Sequence, residues 1–202
     1  MAHQKSSDFA VVNKDYPNSV KIGKSSTRKI VWVSGKKTNY ETKLRGGHNQ
    51  ENIAAAVAVA KIIGVSEIRV VRVVRDFRGL EHRLEEVKTV KGVTFYNDSF
   101  STTPETAIAA IKSFTEPEIV ILGGSSKNSD FTELGSVISK AKNIKLVILI
   151  GAEGPKIARK IRGVRVVRGG STMAEIIKMA YNKAESGDVV LLSPACASFD
   201  MF

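Results

Sequence analysis

The chain has 202 residues, a formal net charge of +11, 43% hydrophobic residues and one cysteine. A single cysteine excludes an internal disulfide framework and favours a reducing, cytoplasmic setting. No apolar run approaches the ~18 residues that a bilayer span needs. The basic residues do not gather into an aromatic-interleaved nucleic-acid motif. The composition therefore predicts a soluble, enzyme-like protein without a membrane or nucleic-acid partner, and its positive charge suits an anionic small molecule.

The first 76 residues predict three short strands, FAVV, KIVWV and ETKL, followed by two helices. The helices are predicted near residues 50–63 and from Ser66 to about Phe77. In the second helix the pattern RVVRVVR predicts that the arginines face water. The same pattern predicts that four valines lie on the buried side, namely Val70, Val71, Val73 and Val74.

A lookalike of a phosphate-binding loop, Gly23-Lys24-Ser25, lies within PNSVKIGKSSTR at residues 17–28. A true loop needs a glycine five positions before the Gly-Lys pair. That position is Asn18 in this sequence. We therefore interpret residues 17–28 as a polar connection between strands that does not bind phosphate.

The second part of the chain begins with a charged segment, DFRGLEHRLEEV, whose glycine suits a hinge. Strands and helices then alternate. The predicted strands are TFYN, EIVIL, LVILI, VRVV and DVVLL, and the predicted helices are TPETAIAAIKSF, DFTELGSVISKAK, GPKIARKI and TMAEIIKMAYNKA. This alternation predicts βαβ units, a parallel sheet and an α/β fold, with domains at 1–76 and 77–202.

Ligands of open parallel sheets bind beyond the carboxyl ends of the strands. Polar segments follow four predicted strands there: DSFSTTPE, SSKNSDF, AEGPK and PACASFDMF. Helix N-termini in such loops suit carboxylates and phosphates, and Lys127 adds a positive charge. Two alternatives stay open for Gly123 and Gly124. Either they let the backbone approach a ligand, with Lys127 supplying charge nearby, or they only permit a tight turn and Lys127 is solvated.

Other polar residues also have two interpretations. Asp98 and the Ser/Thr cluster at 99–103 either bind a metal-associated phosphate or belong to the cap of the next helix. Cys196 is interpreted as a small buried thiol rather than a nucleophile. Asn49 and Asn52 are three residues apart at a helix start, so they either face one ligand or Asn49 caps the helix.

The three histidines are His3, His48 and His82, and they lack metal-ligand spacing. No protein metal site is therefore predicted in this chain.

Five segments, in order, resemble the Mur ligases: GGHNQENIAAAVAVA, LEHRLE, NDSFSTTPETAIAAI, LGGSSKNSDF and LLSPACASFDMF. The similarity extends from about Asp8 to Phe202. SPACASFD and the GG-x-x-K loop favour the member that adds D-glutamate, and the DNPR-type motif of the diaminopimelate-adding member is absent.

The resemblance implies a Rossmann-like C-terminal domain at 77–202, slightly truncated, for binding the amino acid. It implies a partial central ATP-binding domain at 1–76, without its phosphate-binding loop. The implied activity is an ATP-dependent amide-bond ligation in peptidoglycan synthesis, which adds D-glutamate to UDP-N-acetylmuramoyl-L-alanine through an acyl phosphate. The implied cofactors are ATP and Mg²⁺, with the magnesium ligands mainly in the missing part, so we expect the chain alone to be inactive.

The resemblance also implies roles for particular residues. The predicted contacts to D-glutamate are Lys127, Ser198 and Thr102. The predicted contacts to ATP are Asn49, Asn52, Arg83 and Asp98. One residue departs from the family pattern, because many members have a lysine where this chain has Phe100.

Two alternatives remain open at this point. One is a non-catalytic module that binds a nucleotide or an amino acid, and the other is a ligase of the folylpolyglutamate type, which SPACASFD disfavours. The predicted localisation is cytoplasmic, and the sequence does not predict an oligomeric state.

Overall fold

The computed structural model describes residues 4–26, 29–125 and 128–197. The chain divides into two compact units, Met1–Arg78 and Gly79–Phe202. Each unit has its own buried apolar residues.

The first unit opens with two parallel strands joined by a helix. Its elements are β1 (Phe9–Asn13), α1 (Pro17–Lys24), β2 (Lys29–Val33), a short 3₁₀ helix (Gly35–Lys37), α2 (Gly47–Ile62) and α3 (Glu67–Asp76). Ile53 and Val57 of α2 pack with Val70 of α3 in a small core. Gly64 has a positive φ of 80°, the left-handed helix end that its position predicts.

Residues 17–24 do not form the polar connection that we predicted, because they form α1. Pro17 stands in the first turn, where its missing N–H has no intrahelical partner to lose. Gly23 is buried, and a Cβ at this position would lie 2.6 Å from the Trp32 ring of β2. The glycine of the phosphate-loop lookalike therefore serves close helix–strand packing. Apart from Pro17, the large apolar side chains of this helix are Val20 and Ile22, and their spacing of two residues gives no helical periodicity in the sequence.

The predicted strand ETKL is also wrong, since residues 41–44 have no strand structure. The segment is instead fixed by its side chains. Tyr40 and Leu44 pack against the small core of the unit. The Tyr40 hydroxyl donates a 2.6 Å hydrogen bond to Glu67, which raises the pKa of Tyr40.

The prediction for α3 holds only in part. Its arginines are exposed and Val70 is buried, while Val74 is half-buried. Val71 and Val73, however, are 43% and 65% exposed. The helical period explains this result, because positions 70 and 74 share one face and positions 71 and 73 flank it.

The described residues of the second unit form a six-stranded sheet with helices on both faces. Its elements are β3 (Glu85–Val90), β4 (Val93–Asn97), α4 (Pro104–Ile111), β5 (Glu118–Gly123), α5 (Thr132–Lys140), β6 (Ile144–Ile150), α6 (Gly154–Ala158), β7 (Val166–Arg168), α7 (Met173–Lys183) and β8 (Val189–Leu192). The strand order is β3-β4-β8-β5-β6-β7, and every pairing is parallel except β3 with β4. The predicted α/β fold with a mostly parallel sheet is confirmed.

The central strands are apolar on both faces, as their sequences predict. All six residues of β5 are buried. Val120 and Leu122 pack on one face with Leu134 of α5, whereas Ile119 packs on the other face with Ile176 of α7. This double cover fixes the sheet, and therefore the positions of the loops that leave its carboxyl edge.

The charged segment DFRGLEHRLEEV, which suits a hinge, contains the first half of β3, a strand that the sequence does not predict. The strand reads EEVKTV and lies at the edge of the sheet, where charged residues are common and alternation is weak. Lys91 and Gly92 both have positive φ values in the turn to β4, which suits a tight hairpin.

No helix among the described residues is both long enough and apolar enough to cross a membrane.

Candidate functional site at the carboxyl edge of the sheet

The loops that follow β4, β5, β6 and β8 meet at one edge of the sheet. The Ala195 N–H donates to the Ser101 carbonyl at 2.8 Å, which joins the loops after β8 and β4. The Gly123 N–H donates to the Pro194 carbonyl at 2.8 Å. The Glu153 N–H donates to the Gly124 carbonyl at 3.0 Å. The predicted gathering of polar loops is therefore confirmed.

Two of the predicted D-glutamate contacts, Lys127 and Ser198, lie outside the described residues. The described neighbours of these residues are hydrogen-bonded to each other, because the Ser125 N–H donates to the Ala197 carbonyl at 2.7 Å. These two neighbours also form an isolated antiparallel bridge.

The glycine pair after β5 is explained by this joining of loops. A Cβ at Gly123 would lie 2.0 Å from the Ile150 carbonyl oxygen, and one at Gly124 would lie 2.2 Å from the Ala197 carbonyl oxygen. Any side chain would therefore push the neighbouring backbone away. Of the two alternatives, close packing of the turn accounts for both glycines without a ligand.

Asp98 directly follows β4 and is only 5% exposed. Its Oδ1 accepts a hydrogen bond from the Leu84 N–H at 3.1 Å, and its Oδ2 accepts one from the Ser193 hydroxyl at 2.8 Å. Ser193 is fully buried at the end of β8. The carboxylate therefore links three segments of the edge, a role that the sequence alone does not indicate.

The threonines before α4 have separate roles. Thr103 is the N-cap, and it forms a capping box with Thr106. Thr102 is half-buried at the same edge. Because Thr103 supplies the cap, Thr102 is left for another role, and its predicted contact with D-glutamate stays a prediction.

The loop after β6 also carries charge. Glu153 is 2% exposed and forms a 2.7 Å ion pair with Lys156. Cys196, in the loop after β8, is buried, as predicted for a structural thiol.

Arg83 belongs to the loop that precedes β3. Its guanidinium carbon lies 5.3 Å from the centre of the Phe100 ring. The His82 ring lies 5.9 Å from the same ring, centre to centre. The lack of metal-ligand spacing at His82 gives no indication of this group, but its place beside Arg83 in LEHRLE is a signal for it.

In the first unit, Asn49 and Asn52 lie side by side at the start of α2. The Asn52 amide donates to Asn49 Oδ1 at 3.3 Å, and the Asn49 amide donates to the Arg45 carbonyl at 2.7 Å. The N-cap of α2 is Gly46 and has no side-chain cap, so the alternative that Asn49 caps the helix is wrong. The predicted nucleotide contact of the pair stays a prediction.

Close to this pair, Glu51 ties the start of α2 to the preceding segments. Its carboxylate accepts hydrogen bonds from the Tyr16 hydroxyl at 2.8 Å and from the Asn13 amide at 3.1 Å. The hydrogen bond and charge of Glu51 raise the pKa of Tyr16.

No group of three or more His, Cys, Asp or Glu residues suited to a metal ion occurs in the described part of the chain. Magnesium prefers oxygen ligands, and in phosphate-transfer sites the substrate supplies several of them. The described carboxylates do not form such a cage, and Asp98 already accepts two protein hydrogen bonds.

A mostly parallel sheet, covered on both faces and carrying polar loops at its carboxyl edge, defines a Rossmann-like α/β unit, a class of fold that binds ligands at this edge. Residues 82–196 match the family described as Mur ligase, glutamate ligase domain. This match covers more than half of the chain, and the chain therefore belongs to the Mur ligase family.

Two curated relatives carry the same name, UDP-N-acetylmuramoylalanine–D-glutamate ligase. The protein of Koribacter versatilis is 36% identical over 228 residues, which covers 99% of this chain and 49% of the relative. That of Desulfitobacterium hafniense strain Y51 is 42% identical over 164 residues, covering 80% of this chain and 36% of the relative. The chain thus spans about half the length, or less, of these relatives.

A solved structure confirms the fold. The MurF ligase of Thermotoga maritima, in complex with ADP, aligns with a TM-score of 0.71 and 18% identity, covering 94% of this chain and 50% of that protein.

Proposed function

We propose that this chain is part of an ATP-dependent ligase that joins D-glutamate to UDP-N-acetylmuramoyl-L-alanine in peptidoglycan synthesis. In this reaction ATP phosphorylates the alanyl carboxylate, the D-glutamate amine attacks the acyl phosphate, and phosphate leaves. The observation that carries the proposal is the likeness to curated D-glutamate ligases, 36% identical over 99% of the chain in one case. The joined loops at the carboxyl edge of the sheet support it, because open parallel sheets bind their ligands at this edge.

We assign the amino-acid seat to this edge. Lys127 neutralises the side-chain carboxylate of D-glutamate, and the hydroxyls of Ser198 and Thr102 donate hydrogen bonds to its oxygens. The hydrogen bond between Ser125 and Ala197 supports this assignment, since these residues come shortly before Lys127 and Ser198 in the chain. The contribution of these residues to catalysis is then to position the D-glutamate amine, because the amine must meet an electrophile that other parts of the enzyme hold.

We assign the nucleotide contacts to the paired amides of Asn49 and Asn52 in the first unit, and to Arg83 and Asp98 in the second. Amides suit the hydrogen-bonding edge of a base, and a guanidinium suits a phosphate. The Asp98 carboxylate suits ribose hydroxyls rather than phosphate, because it repels negative charge. No step is assigned to a magnesium ion in this chain, since the described carboxylates do not form a site for one.

We further propose a cytoplasmic location, where nucleotide substrates are available, and partners that are small molecules. The single cysteine agrees with a reducing compartment.

The test is direct binding of D-glutamate to the purified 202-residue chain, followed by NMR, with L-glutamate and D-aspartate as comparison ligands. We expect D-glutamate to bind best. We expect Lys127→Met to weaken its binding about ten- to hundredfold, the value of a hydrogen bond to a charged group. The matched control is Lys142→Met, because this exposed lysine precedes β6 at the opposite edge of the sheet.

Equal binding of both glutamate enantiomers, or an equal effect of the two lysine variants, would overturn the proposed seat. Preferential binding of a pteroyl-glutamate would instead favour the folylpolyglutamate-type alternative. We expect no phosphate release from ATP by the chain alone, because it lacks the phosphate-binding loop.

A further inference from the structure

The loop that carries Arg83 has an unfavourable backbone. His82 and Leu84, on either side of Arg83, have positive φ values of 63° and 46°. Residues other than glycine adopt this left-handed region only when surrounding contacts hold them there. The contacts that hold this loop therefore identify which residues set the position of Arg83.

Two contacts are local to the loop, since the His82 N–H donates to the Glu85 carboxylate at 2.8 Å and the Arg83 N–H donates to the Leu80 carbonyl at 3.3 Å. The contacts from outside the loop come from one short segment, Asn97–Phe100, which begins at the last residue of β4. The Phe100 N–H donates to the His82 carbonyl at 3.2 Å. The Leu84 N–H donates to Asp98 Oδ1 at 3.1 Å. Backbone groups on both sides of Arg83 are therefore held by this segment.

The side chain of Asn97 adds a third contact, at 2.8 Å between its amide nitrogen and Nδ1 of His82. The direction of this bond is fixed, because Asn97 Oδ1 already accepts from the Ser99 N–H at 3.1 Å. The Asn97 amide nitrogen is then the donor, and Nδ1 of His82 accepts.

Phe100 completes the arrangement from the side. Its ring is 54% exposed, so it contributes little to the core. One neighbour is the Arg83 guanidinium, 5.3 Å from the ring centre, and the other is the His82 ring at 5.9 Å. A guanidinium at this distance from an aromatic face is attracted by the ring quadrupole.

We propose that Phe100 and Asp98 are positioning residues for Arg83, with Phe100 orienting the guanidinium and Asp98 fixing the backbone of its loop. Asp98 is itself anchored by the buried hydroxyl of Ser193, so the loop is tied to the end of β8. The ligand that Arg83 meets is an anion on a nucleotide. This last point rests on the proposed function, whereas the positioning does not.

The first test is spectroscopic and needs no ligand. The NMR signal of the Arg83 Nε–H reports the ring current of Phe100 in the full 202-residue chain. We expect Phe100→Leu, which keeps apolar bulk without a π-face, to move this signal towards its random-coil position, and Phe100→Tyr to retain the wild-type shift. An Arg83 signal that is the same in all three proteins overturns the role of Phe100.

The second test measures the affinity for ADP. We expect Phe100→Leu to weaken binding about two- to fivefold, which corresponds to an exposed cation–π contact, and Phe100→Tyr to restore it. Loss of affinity in Phe100→Leu without rescue by Phe100→Tyr counts against the proposal. If the wild-type chain binds no ADP, the proposed nucleotide contact fails, and the Arg83 signal alone still decides the positioning.

Asp98 is tested by two variants. Asp98→Asn can still accept from the Leu84 N–H through its oxygen and donate to Ser193 through its nitrogen, so we expect Arg83 to keep its signal. Ser193→Ala removes the anchor without touching any ligand, and we expect the Arg83 and Leu84 amide signals to broaden or move. Wild-type Arg83 and Leu84 signals in Ser193→Ala overturn the anchoring of Asp98 by Ser193. A changed Arg83 signal in Asp98→Asn overturns the role that we give to the hydrogen bonds of Asp98.

Discussion

The fully buried Glu118 at the start of β5 allows a sharp test of the electrostatics. Both carboxylate oxygens are buried without a hydrogen-bond partner in the described part of the chain. Ile144 and Val189, both core residues, pair with it from the neighbouring strands. Burial, helped by the nearby charge of Glu116, raises the pKa of Glu118 from 4.5 to about 8. The side chain is therefore neutral in the folded protein at pH 7.

The sign of the pH dependence follows from this shift. Below pH 4.5 the folded and unfolded states both carry the proton, so stability does not depend on this group. As the pH rises towards about 8, the unfolded chain loses the proton and the folded chain keeps it, and the free energy of unfolding falls. The difference between the two pKa values corresponds to a decrease of about 5 kcal/mol in the free energy of unfolding, which is the largest change that this one carboxyl group can cause.

The perturbation is Glu118→Gln, which keeps the shape and removes the titration. Burying the amide of the variant changes the free energy of unfolding by an amount that does not depend on pH. The informative quantity is therefore how the stability difference between variant and wild type changes with pH. We expect the variant to gain several kcal/mol relative to wild type between pH 5 and pH 8.5, about 1.4 kcal/mol for each pH unit within the window. Urea unfolding by circular dichroism measures this difference, and amide exchange at Val120 and Ile121 assigns it to the second unit.

The matched control is Glu133→Gln, which makes the same change at an exposed position of α5. We expect its stability to follow that of wild type across the pH range. Parallel stability curves for wild type and Glu118→Gln would refute the reasoning, because they would mean that Glu118 is solvated or hydrogen-bonded in solution.

Two other substitutions test the packing of the sheet edges. Gly124→Ala places a methyl group against the Ala197 carbonyl, and we expect urea unfolding to show a loss of about 1–3 kcal/mol as the loops after β5 and β8 separate. Lys145 forms two ion pairs, one with Asp188 at 2.9 Å and one with Glu185 at 2.7 Å. The Asp188 side chain is only 3% exposed, whereas Glu185 is exposed, and Lys145→Met removes the cation from both pairs. We expect Lys145→Met to lower the free energy of unfolding by about 1–3 kcal/mol, because it leaves the buried Asp188 carboxylate without its cation. We expect Glu185→Gln to lower it by less than about 0.5 kcal/mol, since this pair is exposed. Equal losses in the two variants would contradict the importance of the buried pair.

The sequence predicted the elements that have strong periodicity. The continuous apolar runs of β5 and β6, and the alternation of strands with helices, predicted a parallel sheet covered on both faces. The elements that were missed are short or polar. Helix α1 has few apolar residues and β3 is a charged edge strand, so neither leaves a clear periodic pattern in the sequence.

The candidate site was less accessible to prediction, because its contacts join distant parts of the chain. The hydroxyl that anchors Asp98 belongs to Ser193, 95 residues further on, and the other donor is the backbone of Leu84. Neither partner has a signature in a single sequence. The polar residue types that bind ligands are also the types that form hydrogen bonds between loops. Polar residues at a sheet edge therefore do not show, from the sequence alone, whether they bind a ligand or join loops.

This ambiguity can be resolved by asking which polar groups are already engaged. Asp98 accepts two protein hydrogen bonds, and Thr103 caps α4, so both side chains have structural roles that do not require a ligand. Arg83 is different, because it is exposed and, among the described residues, its guanidinium contacts an aromatic face rather than a carboxylate. Aromatic contact orients a cation without neutralising its charge. For this reason Arg83, rather than Asp98, is the group at this edge that we expect to respond most strongly to an anionic ligand.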